Sequence, residues 1–67
     1  MMTTKLYNSL KFYMLSIHES DQLAEDQTQE YVDKFNSLDK YDQLEISFQF
    51  ECGDIESALI SIDELIS

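Results

Sequence analysis

Arginine and proline are absent from this chain of 67 residues, lysine occurs four times, and glycine, cysteine and histidine occur once each. Without proline, and with Gly53 as the sole glycine, the strongest turn formers are missing, which disfavours a turn-rich β architecture and makes helices the default. One cysteine, Cys52, closes no intrachain disulfide, and with His18 it falls short of the four ligands of a structural zinc site. The few lysines face fourteen carboxylates and leave a formal net charge of −10. That charge repels nucleic acid and anionic membrane and draws in basic surfaces. The expected partner is therefore a basic protein, with no direct contact to nucleic acid or membrane, and nothing in the sequence implies a cofactor.

What is present points to a folded protein. A hydrophobic content of 43%, with four Phe and four Tyr, is too high for a disordered acidic tail. A chain near 60 residues buries only about 60% of the surface its unfolded form exposes, so a single small core is expected, one acidic helical domain over residues 1–67. Stability has to come from packing, and a homodimer is one way to cover surplus apolar surface. The N-terminal stretch carries Lys5 and an apolar patch but does not read as a targeting segment. Its longest uncharged apolar run, Phe12 to Ile17, is six residues, Lys11 interrupts the approach to it, and no small-residue cleavage site follows. No stretch approaches the roughly 20 apolar residues of a membrane span. A soluble, cytoplasmic protein is expected, and an unpaired cysteine agrees with a reducing compartment.

Helical periodicity is clear at both ends of the chain. Leu6, Leu10, Tyr13, Met14 and Ile17 share one face of a helix expected over about residues 4–18, with Thr3 or Thr4 as N-cap. A second helix is expected to end near Leu38 and to bury Tyr31, Val32, Phe35 and Leu38. It has two candidate starts, a cap at Ser20 or a capping box from Asp26 to Gln29. The next segment is ambiguous. Leu44, Ile46, Phe48, Phe50 and Cys52 alternate strictly with Glu45, Ser47, Gln49 and Glu51, the pattern of a half-buried strand. Read as a helix, Tyr41, Leu44, Phe48 and Cys52 form an apolar stripe widened by Ile46 and Phe50. The sequel favours the helix: Gly53 suits a left-handed helix end, Asp54 is a strong N-cap, and Ile55, Ala58, Leu59, Ile62, Leu65 and Ile66 form a second stripe. Residues 46–65, with Gly53, Asp54 and Ala58, resemble the helical hairpin of tetratricopeptide-type repeats. The resemblance implies a local helix–turn–helix and nothing larger, because it covers less than one repeat, lacks the family's Trp and Pro positions and has no second copy. The expected fold is all-α, a compact domain of three or four helices. The alternative is a small α+β protein with a strand at about 43–52.

Charge distribution carries the functional reading. Glu19, Asp21, Glu25, Asp26, Glu30 and Asp33 form one block without lysine, and Asp42, Glu45, Glu51, Asp54, Glu56, Asp63 and Glu64 form another. On a helix, Asp21 with Glu25 and Asp26 with Glu30 are like-charge i,i+4 pairs, each destabilising by about 0.2–0.5 kcal/mol. Asp63 and Glu64 fall in the last turn of the final helix, where the macrodipole disfavours a negative charge by about 0.3–1 kcal/mol. Such departures from local rules tend to mark functional surface. The expected binding residues are therefore Glu19, Asp21, Glu25, Asp26, Glu30, Asp33, Asp63 and Glu64. Carboxylates four residues apart lie about 6 Å apart along a helix axis and can imitate a row of phosphates. In charge and size the chain resembles the small acidic inhibitors of restriction and CRISPR nucleases, which implies a non-enzymatic inhibitor that masks a basic, nucleic-acid-binding surface. The alternative function is a regulatory adaptor or structural subunit that holds a partner through the apolar face of its helical hairpin.

Other residues have ordinary readings. His18 is expected at the C-terminus of the first helix, where a cation is favoured, and not as a catalytic base. Cys52 is expected to be buried in the hairpin beside Phe48. Asp21, Glu25 and Asp26 lack the spacing and glycine of a calcium-binding loop. Aromatic residues are expected in the core, except Tyr7 and one of Phe12 or Phe50, which lie off the main stripes and would serve an interface.

Overall fold

Thr3, Ser20, Asp39 and Asp54 punctuate the chain, and a computed structural model describing residues 2–66 has helices following each: α1 (Thr4–Ile17), α2 (Asp21–Ser37), α3 (Lys40–Glu51) and α4 (Ile55–Ile66). Their side-chain oxygens accept from the backbone N–H of Leu6 at 3.2 Å, Leu23 at 3.5 Å, Asp42 at 2.9 Å and Ser57 at 3.4 Å. Each cap satisfies one of the N–H groups that a helix start leaves without an intrahelical partner. Ser20 is thus the start of α2, and the box from Asp26 to Gln29 lies inside the helix.

Helix ends are equally specified. After α3, Gly53 takes φ +82°, its N–H bonds the Phe50 carbonyl at 3.0 Å and the Asp54 N–H reaches the Gln49 carbonyl at 3.1 Å. These two bonds are the Schellman arrangement, which turns the chain sharply into α4 and forms the hairpin expected from Gly53 and Asp54. The end of α2 is capped from outside: the Gln43 amide donates to the carbonyls of Phe35 at 3.1 Å and Leu38 at 3.0 Å. Met2 N–H donates to Asn36 Oδ1 at 3.0 Å and ties the start of the chain to the same corner.

The four helices share one core. Leu6, Leu10 and Met14 of α1 meet Ala24 and Phe35 of α2, Ile46 and Phe50 of α3, and Ala58, Leu59 and Ile62 of α4. α1 packs chiefly on α2 and α3 on α4, and α2–α4 and α1–α3 contacts join the two hairpins. Thr28, fully buried, donates its hydroxyl to the Ala24 carbonyl at 2.7 Å and so enters the core without an orphaned polar group. None of the described helices is long and apolar enough to cross a membrane.

The fold is all-α, and residues 43–52, the site of the alternative strand, are helical. The expected burial pattern of α3 is nevertheless reversed. Ile46 and Phe50 are the buried residues, whereas Tyr41, Leu44 and Phe48 are 84%, 61% and 68% exposed, and Cys52 is exposed instead of buried beside Phe48. The cause is geometric. Two residues advance an α-helix by about 200°, so strict alternation sends successive apolar side chains to nearly opposite faces. Only one of those faces can meet the core. Ile17, Leu65 and Ile66 also lie outside it, at the last turns of α1 and α4. Of the off-stripe aromatics, Tyr7 is half-buried against the core and Phe12 is 76% exposed.

Candidate functional site

Sorting the carboxylates by what they touch separates structural acids from the rest. Asp39 and Asp54 are N-caps, and Asp21, Asp42 and Glu56 occupy first turns, where the helix dipole favours a negative charge. Asp63 is also accounted for. Its carboxylate accepts from the Tyr31 hydroxyl at 2.8 Å and from Lys34 Nζ at 3.1 Å, and Lys34 lies 4.9 Å from the centre of the Tyr31 ring. Desolvation, then the hydrogen bond to Asp63 and the neighbouring negative charges, push the Tyr31 hydroxyl up to about 12. The Asp63 hydrogen bond likewise holds the Lys34 ammonium above its usual range. The unfavourable position of Asp63 at the end of α4 is thus offset by a cation and a hydroxyl from α2.

Glu25, Asp26, Glu30 and Asp33 have no comparable structural duty. All four are exposed on α2, whose buried residues Ala24, Thr28 and Phe35 define the opposite face. At 100° per residue, Asp26, Glu30 and Asp33 point away from the core and Glu25 lies on one shoulder. Asp33 accepts from Gln29 at 3.0 Å on the same surface. The one cation of α2, Lys34, is shared between Asp63 and Glu30, the latter at 3.7 Å. Through Lys34 the central acidic block abuts the acidic end of α4.

All eight residues expected to bind are exposed: Glu19 in the connection before α2, Asp21, Glu25, Asp26, Glu30 and Asp33 along α2, and Asp63 and Glu64 in the last turn of α4. The structure joins Glu30 and Asp63 across the α2–α4 seam and sets Glu64 elsewhere, in a shallow α3–α4 groove with Glu45 and Leu65. A larger groove, of about 590 Å³, runs between Asn8, Ser9, Phe12 and Ser16 of α1 and Gly53 and Ile55 of the hairpin turn. None of its lining residues is charged.

Among the described residues, no three His, Cys, Asp or Glu side chains converge as a metal ion would require. His18 is the C-cap residue of α1, its backbone N–H bonded to the Met14 carbonyl at 3.0 Å, and Cys52 is the exposed C-cap residue of α3. Tyr41, Leu44 and Phe48, the stripe that the sequence places in the core, instead face outward. Comparison with protein-family models, curated proteins and solved structures finds no match to this chain.

Proposed function

We propose that the chain is a non-enzymatic inhibitor that binds a basic protein and masks its nucleic-acid-binding surface. One observation carries this reading: the outward face of α2 presents Asp26, Glu30 and Asp33, with Glu25 beside them, and its single lysine is engaged by Asp63 and Glu30. Asp26 and Glu30 lie about 6 Å apart along the helix axis and Asp26 and Asp33 about 10 Å apart, at 1.5 Å of rise per residue. A rigid row of this kind offers a phosphate-binding groove the charges it is built to hold. Its attraction steers association and is screened by salt.

The mechanism is competition, because a groove filled by α2 has no room for a nucleic-acid strand. Affinity capture from nuclease-treated lysate, run in parallel with the wild type and a Glu25→Gln, Asp26→Asn, Glu30→Gln, Asp33→Asn variant, tests it. Nucleic-acid-binding proteins held by the wild type, released by moderate salt and lost from the folded variant are the expected result. Partners held equally by both proteins would overturn the reading.

A further inference from the structure

We infer that the outer face of α3 is a docking surface for a basic amphipathic helix of a partner protein, separate from the carboxylate row of α2 and independent of its role. Tyr41, Leu44 and Phe48 stand at i, i+3 and i+7, the spacing with which one helix reads another, and each is more than 60% exposed. They lie directly opposite Ile46 and Phe50, which already anchor α3 in the core, so the stripe adds nothing to the packing of this chain. Two aromatics and a leucine in one row are the residue types that concentrate binding energy when covered.

Charge identifies the occupant. From Tyr41 onward the chain has seven carboxylates and no lysine or arginine, and Lys40, at the first turn, is the one cation of α3. Glu45 borders the stripe on one side and Glu51 on the other, by helical position. Beyond Glu45 lies the α3–α4 groove of about 370 Å³, lined by Glu45, Ser61, Glu64 and Leu65. A helix with leucines on one face and lysines or arginines on its flanks would cover the stripe while its cations reach Glu45 and Glu51. A second copy of this chain would instead bring its own Glu45 and Glu51 against the first pair. The length of α3, 12 residues or about 18 Å, suits one helix laid along it.

The test is binding of a synthetic amphipathic peptide, leucines at i, i+3, i+4 and i+7 and lysines on the flanks, followed by fluorescence anisotropy. Tyr41→Ser with Phe48→Ser removes exposed side chains only, so the fold is retained and circular dichroism verifies it. The account expects this variant to bind the peptide about tenfold more weakly than the wild type. Neutralising Asp26, Glu30 and Asp33 on α2 should change peptide affinity far less, which keeps this surface distinguishable from the α2 reading. Absence of peptide binding, equal binding by the serine variant, or a larger loss from the α2 variant would overturn the proposal. So would a concentration-dependent dimer in sedimentation that the serine variant abolishes, because a second copy would then own the stripe.

Discussion

Tyr31 links the local chemistry of this fold to its pH response. Its hydroxyl donates to Asp63 beside Lys34, and its pKa is pushed up to about 12, first by desolvation and then by the hydrogen bond and negative charge of Asp63. The neutral form is therefore favoured in the folded state, with an unfolded reference near 10. The stabilisation is fully present below about pH 10 and is lost as pH rises from there through about 12. Tyrosinate absorbance should show a step near pH 12, and Tyr31→Phe should remove that step. If the step lost on Tyr31→Phe falls near pH 10 instead, the Asp63 contact is contradicted. Gly53 makes a second residue-level test. A Cβ placed there meets nothing within 4 Å, so the cost of Gly53→Ala is that of φ +82° alone, about 1–2 kcal/mol in urea unfolding. Gly53 and the caps Thr3, Ser20 and Asp54 were legible in the sequence because their signals are local, whereas the cap of α3 at Asp39 went unread. The tie of Asp63 to Tyr31 and Lys34 was not, since it joins residues about thirty positions apart.

At the scale of elements, the least legible helix was α3. Its sequence alternates like a strand, and its helical reading offered two apolar faces without saying which is turned inward. Tertiary packing chose Ile46 and Phe50, the pair that faces α1 and α4 through the core. The choice has a sharp energetic signature. Phe50→Ala should cost about 3–5 kcal/mol as a buried large-to-small change, whereas Phe48→Ser should stay within about 0.5 kcal/mol of the wild type. Equal costs in chemical denaturation would mean that α3 is rotated from the register described. α2 carries the complementary lesson. Its start at Ser20 was one of two readings, and the burial of Ala24 and Thr28 went unforeseen because neither is a large hydrophobe. Thr28 sits in the core only because its hydroxyl bonds back to the Ala24 carbonyl. The acidic face of α2 was legible, since charged side chains go to solvent whichever way a helix packs. Relieving its Asp26–Glu30 repulsion by Asp26→Asn should raise stability by about 0.2–0.5 kcal/mol. A loss of stability in thermal unfolding would assign Asp26 a structural duty.

For the whole molecule, the net charge of −10 works against compactness and in favour of encounter with a basic partner. Four caps, one Schellman turn and a core drawn from every helix hold the charges on a fixed frame. Self-repulsion between surface carboxylates is screened by salt, so the thermal midpoint should rise as ionic strength goes from about 0.01 M to about 0.1 M, where the Debye length shrinks from about 30 Å to about 10 Å. The same screening should weaken capture of a basic partner, so fold and binding respond to salt in opposite directions. The most direct measurement is competition: with a captured nucleic-acid-binding partner in hand, the chain is titrated against the partner's complex with labelled nucleic acid. Stoichiometric displacement is expected from the wild type and none from the Glu25→Gln, Asp26→Asn, Glu30→Gln, Asp33→Asn variant. Nucleic acid that stays bound while the chain binds alongside it would contradict the masking mechanism.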